Sequence, residues 1–259
     1  MSALHGVGVL VTRPEHQAMP LCRLLEAQGA TALRLPAVDI KAVGNRRDLA
    51  ATLGALGKFD VIIFTSSNAV RFGATLLDQR SDLTLAAIGP ATARALNHAG
   101  YRVAVQPQEG FDSESLLEHP RLAHPAGRRV LIVKGSNGRP LLEQELVRRG
   151  AEVVTADVYQ RLPASPTPAA LAALLSRFTD GAVQVITATS LEIGGNLLGM
   201  ATPALREEFE RAQWLVPGER IAAGLRELGL SAPLLQAESA DDHDLVGALV
   251  RWRSSASGA

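Results

Sequence analysis

The sequence predicts an α/β protein made of two parallel-sheet domains, and two observations support this prediction. Short apolar runs rich in β-branched residues alternate with segments whose apolar residues recur every three or four positions, the pattern of parallel strands covered by helices. The chain also repeats itself: VLVTRP with LLEAQGA (9–30) resembles VLIVKG with LVRRGAEV (130–153), and DVIIFTSSNAV (60–70) resembles VQVITATSLEI (183–193). We therefore expect a duplicated α/β unit with a ligand cleft between its halves.

The individual elements follow from the same patterns. Strands are expected at 7–12, 31–36, 60–65, 85–89, 102–107, 129–134, 151–159, 183–189, 213–217 and 232–237. Helices are expected at 16–29, 67–79, 90–100, 139–150, 167–178, 191–199, 219–229 and 241–252. Pro20 should kink the first helix or delay its start. The segments 35–45 and 159–170 carry proline, glycine and polar residues and are predicted linkers, and the tail 253–259 is predicted to be disordered.

Composition excludes several classes of protein. Lys plus Arg equals Asp plus Glu at 26 each, which argues against a nucleic-acid-binding protein, since these carry a basic excess. The single cysteine, Cys22, allows no internal disulfide, suits a reducing compartment and is expected to fill the core. The chain has no apolar stretch long enough to span a bilayer and no signal-peptide pattern at its start. We therefore expect a cytoplasmic protein that acts at neither a membrane nor a nucleic acid.

Small and hydroxyl residues follow most of the predicted strands. In open parallel sheets, ligands bind beyond the carboxyl ends of the strands, where backbone N–H groups and helix dipoles attract anions. The alternative interpretation is that these residues only cap the next helix. The candidates for binding a substrate with several carboxylates or phosphates are Thr12, Arg13, Thr65, Ser66, Ser67, Asn68, Gly89, Thr92, Gly135, Gly138, Arg139, Thr189, Ser190, Pro217 and Gly218.

Three residues could have either a functional or a structural role: two of these candidates and one tyrosine. Arg13 and Arg139 could pair with ligand carboxylates or could anchor loops. Tyr159 is one of 2 tyrosines and ends a predicted strand, where its phenol could donate a proton to a leaving hydroxyl or could pack at a domain joint. No dinucleotide, nucleotide-phosphate, metal or catalytic-triad motif is present. Any chemistry must therefore either be easy once the substrate is positioned or use a group that the sequence does not single out.

An ordered set of motifs resembles the uroporphyrinogen-III synthase family. VLVTRP, FTSSNAV, AIGPATARAL, DSESLL, KGSNGRPLL and GAEVVTADVYQR occur in the order expected for that family and cover essentially the whole chain. Three features depart from the family pattern. Lys134 stands in place of an expected arginine, Gly218 with Glu219 stands in place of a common His-Pro pair, and Pro20 falls inside the first helix.

The resemblance implies a fold of two flavodoxin-like parallel-sheet domains joined by a two-stranded connector. The first domain would combine residues 1–36 with 164–259, and the second would span 41–158. Residues 37–40 and 159–163 would form the connectors. Each domain then takes strands from both halves of the repeat, which the residues alone did not suggest.

The resemblance also implies an activity. Members of the family cyclise the linear tetrapyrrole hydroxymethylbilane, with inversion of ring D and loss of water, to uroporphyrinogen III in heme and porphyrin biosynthesis. This makes the expected enzyme a carbon–oxygen lyase (a hydro-lyase) that needs no cofactor or metal. We further expect a monomer that receives its substrate from hydroxymethylbilane synthase. Tyr159 matches the family tyrosine that would assist loss of the hydroxyl, and Ala69, Ser113, Lys134 and Ile221 are added as substrate contacts.

Two other functions remain open at this point. The first is a two-domain protein that closes on a small anion or sugar without chemistry; a sugar-binding protein should show stacking aromatic residues, and aromatic residues are only 4% of this chain. The second is a relative of the synthase that keeps the fold and has lost the activity. A catalytic assay separates the second alternative from an active synthase.

Overall fold

The computed structural model describes residues 2–43, 59–74, 77, 84–110, 112–136 and 138–256. The strands of these residues are β1 (Gly8–Val11), β2 (Thr31–Arg34), β3 (Val38–Ala42), β4 (Val61–Phe64), β5 (Leu85–Ala87), β6 (Val103–Val105), β7 (Arg129–Gly135), β8 (Glu152–Pro163), β9 (Val185–Thr187), β10 (Gln213–Pro217) and β11 (Leu234–Ala237). The helices are α1 (Glu15–Ala27), α2 (Ser67–Gly73), α3 (Pro90–His98), α4 (Ser113–Leu117), α5 (Pro120–Ala123), α6 (Leu141–Arg148), α7 (Pro168–Thr179), α8 (Leu191–Met200), α9 (Pro203–Arg211), α10 (Gly218–Glu227) and α11 (Asp242–Ala256).

The chain divides into two compact units. The first comprises Met1–Asp39 with Leu162–Ala259, and the second comprises Ile40–Arg161. Each unit has a sheet of its own, in the order β11-β10-β9-β1-β2 in the first and β3-β8-β7-β4-β5-β6 in the second. The chain therefore passes from one unit to the other within β3 and again within β8. The predicted functional domains, 1–36 with 164–259 and 41–158, stay a prediction.

The first unit is a parallel sheet covered by helices. Its strands pair in parallel throughout, from β2 to β11. All four residues of β1 are buried, as expected for a central strand covered on both faces. Three of its helices begin at a Thr or Ser whose side chain accepts a backbone N–H from three residues further on, namely Thr167, Ser190 and Thr202.

The second unit has the same construction, with one antiparallel edge. Strands β8, β7, β4, β5 and β6 pair in parallel. Residues of β4 alternate between two apolar clusters, with Ile62 and Phe64 in one and Val61 and Ile63 in the other, so both faces of this strand are covered. The edge pair β3–β8 is antiparallel, because the Val43 N–H donates to Val158 and the Ala164 N–H donates to Ala37.

The α/β class with mainly parallel sheets is confirmed, and several finer predictions are wrong. The segments predicted as linkers from their composition contain strand β3 and the end of strand β8, which pair with each other as the two-stranded connector that the resemblance implied; residues 44 and 45 of the first segment are outside the described residues. Helix α1 starts at Glu15 and runs through Pro20, so its start is not delayed. Pro20 lies inside the helix, on its exposed side.

The end of the chain and three short helices also differ from expectation. Helix α11 continues to Ala256, so most of the predicted disordered tail is helical; 257–259 lie outside the described residues. Helices α4, α5 and α9 were not predicted, because SESLL and PRLA are only five and four residues long and α9 is strongly polar. The later part of the helix predicted at 67–79 falls largely on residues that are not described. No helix in the described part of the chain is long and apolar enough to cross a membrane.

Candidate active site

A cavity in the second unit, lined by both polar and apolar residues, brings together residues from the carboxyl ends of β4, β7 and β8. Its volume is about 260 Å³. The predicted substrate-binding or catalytic residues that line it are Thr65, Ser113, Lys134, Gly135, Gly138, Arg139 and Tyr159. These positions lie far apart in sequence, and the parallel order of the three strands places them at one edge of the sheet.

Tyr159, like Ser113, is a buried polar residue of this cavity. It is 8% exposed, and its hydroxyl lies 3.1 Å from Ser66 Oγ. Its ring lies directly over Gly135, where an added Cβ would come within 2.5 Å of the ring carbon Cζ. On its other side, the ring of Phe72 stacks at 6.1 Å between centroids. The phenol ring is thus fixed by packing.

Ser66 caps a helix, which was one of the two interpretations of the hydroxyl residues that follow the predicted strands. Its backbone is extended, and its Oγ accepts the Ala69 N–H at 3.0 Å, which caps helix α2. The same Oγ contacts the hydroxyl of Tyr159, so the residue that caps the helix also contacts a residue that lines the cavity. Thr65 hydrogen-bonds Val133 through both its backbone N–H and its hydroxyl. Asn68 and Ala69 are buried on the helix.

Two predicted cations lie on the cavity wall in different settings. The Lys134 ammonium is 3.8 Å from a Glu143 carboxylate oxygen, and its side chain is 18% exposed. The Arg139 guanidinium is 3.7 Å from Glu114, and its side chain is 72% exposed. Both distances exceed those of a hydrogen bond. Lys134 is therefore the more enclosed charge, whereas Arg139 lies at the surface.

The residues at the start of α3 and α4 differ in their access to the cavity. Ser113 opens α4 behind the cap Asp112, whose carboxylate accepts the Ser115 N–H at 2.8 Å. That hydrogen bond lowers the pKa of Asp112. Gly89 precedes α3 in an extended conformation, and Thr92 is 3% exposed on the helix. Ser113 lines the cavity, whereas Gly89 and Thr92 do not.

In the first unit, Thr12 and Arg13 are engaged in holding the fold. The Thr12 side chain is fully buried, and its hydroxyl donates to the carbonyl of Thr187, tying β1 to β9. Arg13 forms an ion pair with Asp242 at the start of α11 and donates to the Ala240 carbonyl at 2.5 Å. Of the two alternatives for Arg13, this geometry favours anchoring a loop. Substrate contact by either residue remains a prediction.

The other first-unit candidates lie at two further strand ends. Ser190 caps α8 by accepting the Ile193 N–H at 3.2 Å, and Thr189 precedes it, half-buried. Pro217 ends β10, and Gly218 follows it with φ +69°, a left-handed conformation that favours glycine. The next residue, Glu219, accepts a hydrogen bond from Gln236 at 2.6 Å. Ile221 is buried.

Comparison with known proteins identifies the family. The family described as Uroporphyrinogen-III synthase HemD matches residues 20–247. The uroporphyrinogen-III synthase of Escherichia coli K12 is 32% identical over 249 residues, covering 94% of this chain and 100% of the relative. That of Salmonella typhimurium LT2 is 33% identical with the same coverage. The chain belongs to the uroporphyrinogen-III synthase family.

Solved structures of uroporphyrinogen-III synthases have the same fold. A mutant of the enzyme from Thermus thermophilus is 25% identical, with a TM-score of 0.59 over 96% of this chain and 99% of that one. The uroporphyrinogen-III synthetase of Helicobacter pylori 26695 is 17% identical, with a TM-score of 0.60 over 95% of this chain and 99% of that one. The second likeness concerns the fold alone.

Two charged residues of the cavity were not predicted from the sequence. Arg161 and Glu143 both line it. A signal for Arg161 was available, because alternate residues of a strand share a face and Arg161 stands two places after Tyr159 in the family motif VYQR. This rule was not applied to Arg161, because residues 159–170 were predicted to be a linker and not a strand. Glu143 lies in the first turn of α6, where an acidic residue is expected for the helix alone.

Proposed function

We propose that this chain is an active uroporphyrinogen-III synthase, which closes hydroxymethylbilane with inversion of ring D to uroporphyrinogen III. The observation that carries the proposal is the position of the Tyr159 hydroxyl, 3.1 Å from Ser66 Oγ, in a cavity lined by strand ends and cationic side chains. The family of the chain and the names of its relatives support the same activity. A finer classification as a carbon–oxygen lyase follows from this reaction.

The cavity suits one part of the substrate. Hydroxymethylbilane carries eight carboxylates, and a volume of about 260 Å³ is close to the lower end of small-ligand sites. It would hold one ring or one carboxylate-bearing arm and not the whole tetrapyrrole. Lys134 supplies charge, and the remaining predicted strand-end residues would contact other parts of the substrate through backbone N–H groups.

The first chemical step is loss of the hydroxyl. Tyr159 donates its phenolic proton to the leaving oxygen, the C–O bond breaks, and water departs while an electron-rich pyrrole stabilises the resulting azafulvene cation. Ser66 Oγ can accept or donate a hydrogen bond to the phenol oxygen as that proton leaves. No strong acid is needed, because the pyrrole nitrogen supplies the electrons that expel the hydroxyl.

The second step decides the isomer. The substituted α-carbon of ring D attacks the cation to form a spiro intermediate. The bond from that carbon to the methylene bridge of ring C then breaks, and the same methylene forms a new bond to the free α-carbon of ring D. The proton lost from that carbon restores Tyr159 to its starting form, so the net change is loss of one water. Holding ring D for attack at the more crowded carbon is a matter of positioning and water exclusion.

Location, assembly and domain organisation are part of the proposal. The only cysteine is Cys22, which is buried, and burial raises the pKa of its thiol, which suits a cytoplasmic protein that needs no disulfide. We expect a monomer that receives the bilane from hydroxymethylbilane synthase. The proposed functional domains are 1–36 with 164–259, and 41–158.

The decisive experiment is isomer analysis. Fresh hydroxymethylbilane is incubated with the protein, the products are oxidised to porphyrins, and the type I and type III isomers are separated. Spontaneous closure gives type I. Type III in excess over a protein-free control supports the proposal, whereas type I alone from a folded sample would mean a relative that has kept the fold without the activity.

A further inference from the structure

Arg161 lies on the same face of β8 as Tyr159. Side chains two places apart on a strand point to the same side of the sheet, and both residues line the second-unit cavity. The Arg161 side chain is half-buried. A guanidinium keeps its charge at every physiological pH and can hold both oxygens of a carboxylate at once. The strand therefore presents a phenol and a permanent cation side by side.

The charges around the cavity favour an anion. Its lining includes the cationic residues Lys134, Arg139 and Arg161, and among the described lining residues Glu143 is the one carboxylate. The Lys134 ammonium and the Glu143 carboxylate are 3.8 Å apart, which is beyond hydrogen-bonding distance. Their attraction is therefore loose, and the ammonium keeps N–H donors that an incoming carboxylate can take up.

These three cations differ in how far their side chains are exposed to solvent. Arg139 is 72% exposed, so solvent screens its charge. The Lys134 side chain is only 18% exposed, and Arg161 is half-buried. Lys134 and Arg161 are therefore the pair whose charges act most strongly on a ligand inside the cavity, beside the Tyr159 hydroxyl.

We propose that Arg161, together with Lys134, binds a carboxylate on a side chain of the bilane, and that Glu143 is an internal competitor for Lys134 that this carboxylate displaces. The inference rests on the proposed function and adds to it a residue that determines substrate binding. Arg161 would fix the arm of one pyrrole ring so that the ring bearing the leaving hydroxyl, or the ring that attacks it, lies next to Tyr159. Its contribution is to binding and not to proton transfer.

The test compares Arg161→Met with Arg102→Met, in which an exposed arginine outside the cavity is changed in the same way. With fresh hydroxymethylbilane, Arg161→Met should raise KM about tenfold or more, as expected for loss of a charge-assisted contact. The share of type III isomer should be unchanged, and Arg102→Met should match the wild type. The KM of Arg161→Met should also depend less on added salt than that of the wild type, because one ionic contact is missing. A purely structural role would not change that salt dependence.

Two further variants complete the test. Arg161→Lys should give a KM between those of the wild type and Arg161→Met, because lysine keeps the charge without the planar fork, and it serves if Arg161→Met does not fold. Glu143→Gln should lower KM about twofold by removing the competitor; an unchanged or higher KM would overturn that part of the proposal.

The outcomes distinguish this inference from the proposed function. A wild type that yields type III while Arg161→Met keeps the wild-type KM and salt dependence would overturn the role of Arg161 alone. A wild type that yields only type I would overturn both.

Discussion

The Tyr159 hydroxyl lies 3.1 Å from the hydroxyl of Ser66, which caps helix α2. This contact joins a strand of the second unit to the start of a helix that follows a different strand. Because Ser66 Oγ also accepts the Ala69 N–H, its position is fixed independently of the tyrosine. The phenol oxygen is therefore held at a defined point in the cavity before any substrate binds.

Replacing Tyr159 with Phe tests the phenol as a proton donor. The ring would keep its packing against Gly135 and Phe72, so only the hydroxyl is lost. We expect kcat to fall about a hundredfold, in the range of general acid catalysis, with the product still type III. The measurement is turnover of fresh hydroxymethylbilane with isomer analysis. Turnover equal to the wild type would remove Tyr159 from the mechanism.

Gly135→Ala tests the close packing of Tyr159 against the last residue of β7. A Cβ at this position would lie 2.5 Å from Cζ and 2.8 Å from Cε2 of Tyr159, so the ring must move. We expect a loss of about 1–3 kcal/mol in the free energy of unfolding, measured by urea denaturation, and a fall in kcat. Gly138→Ala is the matched control for stability, because its Cβ would meet only the Gly135 carbonyl, at 3.4 Å. Equal stability of the two variants would contradict the close packing.

The relative importance of backbone shape and side-chain charge can be tested at three predicted contacts. Ser66→Leu and Thr189→Leu would place bulk at strand ends, and we expect kcat/KM to fall about a hundredfold through misplacement of the substrate. Arg139→Ala should cost much less, because the side chain is 72% exposed. The reverse order would indicate that the charge of Arg139 dominates binding.

Thr12→Val tests the tie between β1 and β9. The substitution keeps the shape but removes the hydroxyl that donates to the buried Thr187 carbonyl. Leaving a buried carbonyl without its hydrogen-bond donor costs about 1–3 kcal/mol in the free energy of unfolding, and urea denaturation would detect this loss. Thr31→Val on β2, where the side chain is exposed, is the control. Unchanged stability in Thr12→Val would show that the hydroxyl does not hold the sheet.

The stability of the second unit should depend on the protonation of Glu145. The guanidinium of Arg148, with that of Arg149, lowers the pKa of Glu145 to about 2 from an ordinary value of 4.5. Because the pKa is depressed by folding, the stabilisation is fully present above 4.5 and is lost as the pH falls towards 2. Arg149 also donates to the Leu117 carbonyl at 2.7 Å, which connects α6 to α4.

The variant Glu145→Gln should therefore have a lower urea midpoint than the wild type near neutral pH. The difference between the two proteins should shrink as the pH is lowered below 4.5, because the wild-type carboxylate then takes up a proton. Denaturation curves at a series of pH values measure this. A difference that stays constant down to the acid end would mean that the two arginines do not act on the ionised carboxylate.

Much of the fold could be predicted because most of the strands are short apolar runs. VIIF and RVLIVKG, for example, are β4 and β7 almost as expected. Strand β3 was missed because VDIKA mixes polar with apolar residues, and an edge strand needs only one buried face. The end of β8 was missed because proline and polar residues there also fit a linker. Period and composition could not separate an edge strand from a loop.

The candidate site was predicted in part for similar reasons. Residues at strand ends were chosen as a class, and parallel strands gather such residues at one edge, so Thr65, Gly135 and Tyr159 meet in one cavity. The sequence could not show which strand-end side chains turn inwards to hold the fold. Thr12 and Arg13 do so through partners 175 and 229 residues away along the chain, a pairing that only the folded chain determines.

The most direct test of the account is competition between enzymatic and spontaneous ring closure. Increasing amounts of the protein are added to fresh hydroxymethylbilane, with a heat-denatured sample as the control, and the ratio of type III to type I porphyrin is measured after oxidation. We expect that ratio to rise with the amount of folded protein and to stay at the spontaneous value in the control. A ratio that does not change with folded protein would contradict the claim that this chain directs the inversion of ring D.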